Sequence, residues 1–225
     1  MGYESPMPVQ EEVIPFLLGD DNDVIALAQT GTGKTAAFGL PILQKIDVTT
    51  YHPQALVLCP TRELCLQIAD DLNDYSKYIG NLKVLSVYGG SSIESQIKTL
   101  KRGVHVVVAT PGRLLDLMNR KTVDLSLVKN VIMDEADEML NMGFTDSINA
   151  ILAEVPENRN MLLFSVTMPK EIANITKKYM KNPKEIVIGN KNEGNKNIRD
   201  IYYMVQARDK YLALKRIADF YPNIY

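Results

Sequence analysis

Short runs of β-branched and apolar residues recur along the chain. Each is closed by a turn and followed by a stretch with helical spacing. They read DVIALA from Asp23, ALVLCP from Ala55, KVLSVYGG from Lys83, HVVVATPG from His105, NVIMDEAD from Asn130, MLLFSVT from Met161 and EIVIG from Glu185. Several are apolar without alternation, which predicts strands covered on both faces. Between them, RELCLQIADDLNDYSKYI from Arg62 sets Leu64, Ile68 and Leu72 on one helical face. Strand–helix–strand repetition predicts an α/β fold, a mostly parallel sheet flanked by helices in three layers, with right-handed crossovers. Ligands of such sheets sit beyond the C-terminal strand ends. Gln29, Pro60, Gly89, Thr110, Asp134 and Ser165 all fall there.

GNKNEGNKN, residues 189–197, has no apolar residue and breaks the pattern. It predicts a linker over 190–197 between a large domain, 1–189, and a shorter segment, 198–225. That segment offers one strand-like run, IRDIYYMVQ, and one helical run, DKYLALKRIADFY. A lone strand and helix bury little core, so the segment reads as the truncated start of a second domain. The plainer alternative is an appendage of the first.

Composition narrows the class. A hydrophobic share of 46% and a charged share of 23% suit a soluble globular protein. No apolar run approaches the ~20 residues that span a bilayer, and the opening MGYESPMPVQ is no signal peptide. Two cysteines beside apolar segments, Cys59 and Cys65, suit reduced thiols and a cytoplasmic protein. The formal net charge of -2 argues against a broad basic surface. A polyanion site would be local, built from helix N-termini, backbone N–H groups and a few Arg or Lys.

Two motifs carry chemistry. AQTGTGKT, Ala28 to Thr35, follows a strand and opens a helix. It matches the phosphate-binding loop G-x-x-x-x-G-K-[ST] except that Ala28 replaces the first glycine. Gln29, Thr30, Gly31, Thr32 and Gly33 would wrap their backbone N–H groups around a phosphate. Lys34 would reach the outer phosphates and Thr35 would hold Mg²⁺. A Gly-rich turn with a surface lysine is the bland alternative. The second motif crowds Asp134, Glu135, Asp137 and Glu138 at a strand end. Like charges repel and lose hydration beside an apolar strand, so a positive partner is expected. Mg²⁺ with its nucleotide fits, Asp134 acting as metal carboxylate. Glu135 is suited to orient or deprotonate an attacking water.

These residues resemble the DEAD-box ATP-dependent RNA helicases of superfamily 2. The matching segments, in order, are GYESPMPVQ (from Gly2), AQTGTGKT, PTREL (from Pro60), Gly89–Gly90, TPGR (from Thr110), the literal DEAD at 134–137 and SVT (from Ser165). The resemblance implies a RecA-like P-loop NTPase domain that uses ATP and Mg²⁺. It implies that Gln10 reads the adenine edge and that Tyr3 stacks on the base. It makes Pro60, Thr61, Arg62, Gly90, Thr110, Pro111, Gly112 and Arg113 contacts to an RNA backbone, single-stranded or duplex, without base specificity. Taken singly, Arg62 could instead pair within the fold, and Gly89–Gly90 or Pro111–Gly112 could be plain turns. Ser165 and Thr167 would couple hydrolysis to closure between two RecA-like domains. The family's usual Ala is Val166 here, a bulk that a tight site would resist. The family's upstream aromatic residue would precede Gly2. Its second RecA-like domain, acting in cis, carries the arginines that face the γ-phosphate. This chain alone is therefore expected to bind adenine nucleotide weakly, to hydrolyse it slowly and not to unwind. The whole protein would couple ATP to local unwinding or remodelling of RNA; an ATP-gated RNA clamp and a DNA translocase of the same superfamily are the competing readings.

Overall fold

A computed structural model describes residues 4–19, 22–188 and 201–221. The chain divides into two compact units, Met1–Glu193 and Gly194–Tyr225. Tyr3 and the expected linker at 190–197 lie outside the described residues.

In the first unit every apolar run named above becomes a strand. The elements follow in the order α1 (Pro8–Gly19), β1 (Val24–Leu27), α2 (Lys34–Lys45), β2 (Ala55–Leu58), α3 (Arg62–Tyr75), β3 (Val84–Val87), α4 (Ile93–Lys101) and β4 (Val106–Ala109). Then come α5 (Pro111–Asn119), β5 (Asn130–Met133), α6 (Ala136–Asn141), α7 (Thr145–Glu154), β6 (Asn160–Ser165), α8 (Lys170–Tyr179) and β7 (Lys184–Val187). The strands form one seven-stranded sheet in the order β3-β4-β2-β5-β6-β1-β7. Every pairing is parallel. Ala26 in β1 lies level with Phe164 of β6 and Ile186 of β7.

The period of two along each strand divides the core into two apolar layers. Val24, Ala26, Val57, Ile132 and Phe164 face the helices α1, α2 and α3, meeting Val13, Phe38, Ile68 and Leu72. Phe38 and Phe164 meet there as a tilted ring pair at 5.4 Å. Ile25, Leu27, Leu56, Leu58, Val131 and Met133 face the other way, onto Leu114, Leu117, Met139, Ile148 and Ile172 of α5 to α8. Burial on both faces explains why these strands do not alternate in polarity. Burying one such side chain completely stabilises by about 1.5–3 kcal/mol, which ties the inner strands to both helix layers; the edge strand β7 buries only Ile186.

Local signals start the helices. Thr61 caps α3, its hydroxyl accepting from the Leu64 N–H at 3.2 Å. Pro111 occupies the first turn of α5, where its missing N–H and fixed φ are harmless. Strand tips β5, β6 and β1 are neighbours in the sheet. The segments that leave these three tips are consequently brought side by side.

In the second unit, a 3₁₀ turn (Ala207–Asp209) leads into α9 (Lys210–Phe220), the helix expected from DKYLALKRIADFY. The strand expected from IRDIYYMVQ does not form over its described part, residues 201–206, all of which are exposed. A strand exists through a neighbour's N–H and C=O groups. The described residues of this unit include no strand, and neither the turn nor α9 has a buried residue.

Candidate functional site

Gly31 (φ 75°) and Gly33 (φ 81°) hold the loop after β1 in the left-handed region, where a Cβ is disfavoured. A Cβ on Gly33 would also collide with the Gln10 side-chain amide and lie 2.9 Å from the Met7 sulfur. The Thr32 hydroxyl donates to the Gln29 carbonyl at 2.7 Å and closes the turn. Gly33 is then the N-cap of α2 without a side-chain cap. The positive end of the helix is therefore left for an anion.

Lys34 opens that helix, only 7% exposed. Its Nζ is buried and has no hydrogen-bond partner. The Asp134 Oδ1 lies 3.6 Å away, an ion pair beyond hydrogen-bonding distance. A buried ammonium without acceptors is costly. A phosphate oxygen supplies the missing acceptor, so the residues present fit a nucleotide. Thr35, next in line, hydrogen-bonds the Asp71 carboxyl group of α3, a carboxylate other than Asp134.

Gln10, on α1, is 4% exposed and reaches the same loop. Its Nε2 donates to the Gly33 carbonyl at 3.2 Å, and its Oε1 accepts from the Met7 N–H at 2.9 Å. One N–H and one lone pair of the amide remain for a ligand. α1 is thereby linked to the loop that precedes α2.

Asp134 follows β5, its N–H donating to the Leu58 carbonyl at 2.9 Å. It is 3% exposed, and burial pushes its pKa up while Lys34 pulls it down. Lys34 is thus the positive partner seen in the protein for the acid cluster. Glu135 has φ 50° and ψ 52°, a left-handed conformation rare outside glycine and one that costs roughly 1–3 kcal/mol. Its N–H donates to Asp134 Oδ1 at 3.0 Å. Burial raises the Glu135 pKa, and the Asp134 charge adds to it. A carboxylate of raised basicity is better suited to take a proton from water.

The third acid ties two strand tips together. Asp137 N–H donates to Ser165 Oγ at 3.3 Å, and its Oδ2 accepts from the Thr167 N–H at 2.9 Å and hydroxyl at 2.8 Å. Ser165 and Thr167 thus turn to one partner. Val166, between them, is half-buried, so its extra bulk meets no closed core.

The remaining sequence-predicted residues gather around β2, β3 and β4. Pro60 is buried, Thr61 caps α3, and Arg62 is exposed with its guanidinium 5.0 Å over the Tyr88 ring. Gly90 (φ 81°) turns the chain beside it; a Cβ there would lie 3.7 Å from Arg62 Nη1. Thr110 is the N-cap of α5, with no side-chain bond to the helix, and Gly112 is exposed. Arg113 is half-buried and spends its Nη1 inside the protein, on Ser91 O and Gln96 Oε1, both at 3.1 Å. Gln96 is 6% exposed; its Nε2 donates to Tyr88 O at 3.2 Å and to Ser91 Oγ at 2.7 Å. Tyr88, Ser91 and Gln96 escaped the sequence analysis. A glutamine within the apolar series Ile93, Ile97 and Leu100 was the available signal. A cavity of about 620 Å³ between α5 and α7 shares no residue with these sites.

A DEAD/DEAH box helicase family model matches residues 7–175. The "ATP-dependent RNA helicase DeaD" of Mycobacterium tuberculosis is 49% identical over 222 residues, which are 99% of this chain and 39% of that protein. The "DEAD-box ATP-dependent RNA helicase CshA" of Streptococcus pneumoniae is 50% identical over 218 residues, 97% of this chain and 41% of that protein. A crystal structure of a DEAD box protein from the hyperthermophile Methanococcus jannaschii superposes with a TM-score of 0.80 at 43% identity, covering 96% of this chain and 58% of that one. The chain spans about two-fifths of the length of these curated relatives.

Proposed function

Because this chain belongs to the DEAD/DEAH box helicase family and has its RecA-like fold, we propose that it is the ATP-binding part of an ATP-dependent RNA helicase. Residues 1–189 form the N-terminal RecA-like domain, 190–197 the linker, and 198–225 the start of a second RecA-like domain acting in cis. The whole protein acts on RNA, separating short duplexes or remodelling RNA–protein complexes. It works in the cytoplasm, where the buried free thiols of Cys59 and Cys65 stay reduced. No described helix is long and apolar enough to cross a membrane.

The observation that carries this reading is the buried Lys34 ammonium, without a hydrogen-bond partner and facing Asp134. Lys34 takes the outer phosphates of ATP, and the N–H groups of residues 29–33 surround them. Gln10 uses the free half of its amide on the adenine edge, and Tyr3 covers the base. A guanine would leave that amide with a mismatched group, which disfavours GTP. Thr35 and Asp134 would hold Mg²⁺, which draws charge from the transferring phosphoryl group. Glu135 orients the attacking water and accepts its proton. Asp137, bound to Ser165 and Thr167, carries the state of the nucleotide site to the closure of the two domains. Pro60, Thr61, Arg62, Gly90 and the TPGR turn at 110–113 hold RNA by its backbone, so binding is independent of sequence.

Two substitutions test the assignment. Lys34→Ala should abolish binding of a fluorescent ATP analogue. Glu135→Gln should bind it normally but lower single-turnover hydrolysis about 10²-fold or more. Undiminished affinity in the alanine variant would refute the nucleotide site; undiminished hydrolysis in the glutamine variant would refute the role of Glu135.

A further inference from the structure

We propose that Tyr88 is a positioning residue for RNA: its ring carries the Arg62 guanidinium and holds it beside the Gly89–Gly90 turn, where a phosphate binds. This rests on the reading of that edge as an RNA backbone site. Arg62 is the first residue of α3 and is exposed. An unsupported arginine there would sample many rotamers and present its charge in no fixed direction. The guanidinium instead lies 5.0 Å from the centroid of the Tyr88 ring. A cation–π contact holds the guanidinium over the ring without using its N–H donors, which stay free for two parallel bonds to a phosphate. A lysine could not do both.

The platform is itself fixed. Tyr88 follows β3, and its ring side packs against the core layer beneath α3. Its carbonyl accepts from the buried Gln96 amide at 3.2 Å. The turn completes the arrangement: Gly90 is left-handed, a conformation that favours glycine, and the position a Cβ would take there is in ordinary van der Waals contact with Arg62 Nη1, at 3.7 Å. The guanidinium therefore sits beside the turn. Among the described residues no carboxylate pairs with Arg62, so its charge is available to a ligand. An aromatic face, a guanidinium edge and a glycine turn therefore converge where Pro60, Thr61 and Arg62 leave β2.

The test is RNA binding by this chain, read as fluorescence anisotropy of a labelled oligouridylate at low salt. The proteins are wild type, Tyr88→Phe, Tyr88→Leu, Arg62→Gln and the Tyr88→Leu/Arg62→Gln double variant. Tyr88→Phe keeps the ring and should bind like wild type. Tyr88→Leu should weaken binding about 3–10-fold, and should cause no further loss once Arg62 is glutamine. A role in general packing predicts the opposite, a Tyr88→Leu loss that persists undiminished in the Arg62→Gln background, and that result would overturn the proposal. If wild type binds no RNA, the reading of the edge fails and the role of Tyr88 falls with it. NMR of the Arg62 side chain gives an independent readout without RNA. Its methylene protons should be ring-current shifted in wild type and Tyr88→Phe and not in Tyr88→Leu; equal shifts in all three would overturn the positioning role of Tyr88.

Discussion

His105 shows how one side chain can register pH far from any chemistry. It is fully buried, and its Nδ1 accepts from the Lys83 N–H at 3.0 Å. The proton must then sit on Nε2, which donates to the Val48 carbonyl at 3.2 Å. Burial lowers its pKa, the Lys83 ammonium lowers it further, and the Val48 carbonyl and Asp47 oppose them. The unfolded chain takes up a proton near pH 6.5 and the folded chain resists. Stability from this group is therefore complete above that pH and is lost as pH falls through it. The slope can reach about 1.4 kcal/mol per pH unit for one proton. Denaturant unfolding between pH 5 and 7 should show stability falling as the pH drops below 6.5 in wild type, and a flatter dependence in His105→Gln. At this scale the sequence marked Lys34, Asp134 and Glu135 by their motifs. It could not mark His105, Gln96 or Tyr88, whose roles depend on partners 5 to 57 residues distant.

Elements were the most legible level, because burial on both sheet faces writes unbroken apolar runs into the chain. Each of the runs in the first unit became a strand. The exception, IRDIYYMVQ, is also rich in apolar and aromatic residues but forms no strand over its described residues, all of which are exposed. The joints between elements were harder to read, since a glycine's necessity lies in what stands opposite. Gly103 ends α4 with φ 83°, and a Cβ there would come within 2.6 Å of Tyr51 Cβ and 2.8 Å of its carbonyl oxygen. Left-handed strain and overpacking should together make Gly103→Ala destabilising by roughly 2–4 kcal/mol. Equilibrium unfolding measures this, and a variant as stable as wild type would show that the 51–53 loop yields freely.

For the whole molecule, the nucleotide reading predicts linkage between binding and stability. A non-hydrolysable ATP analogue with Mg²⁺, at 100 times its Kd, should stabilise the fold by about 2.7 kcal/mol. That is roughly 5–10 °C in Tm for a unit of this size, and Lys34→Ala should remove it. The chain's own order of residues determined the secondary structure of the first unit, the parallel α/β class, the phosphate-type loop and the family, because local periodicity and motif spacing are properties of neighbours along the backbone. Only the tertiary structure decided which tips meet. It placed β6 between β1 and β5, set Lys34, without a hydrogen-bond partner, against Asp134, turned Asp137 to Ser165 and Thr167, and laid Arg62 on Tyr88. Those pairings follow from strand order and packing between residues distant in sequence, and no local pattern encodes them.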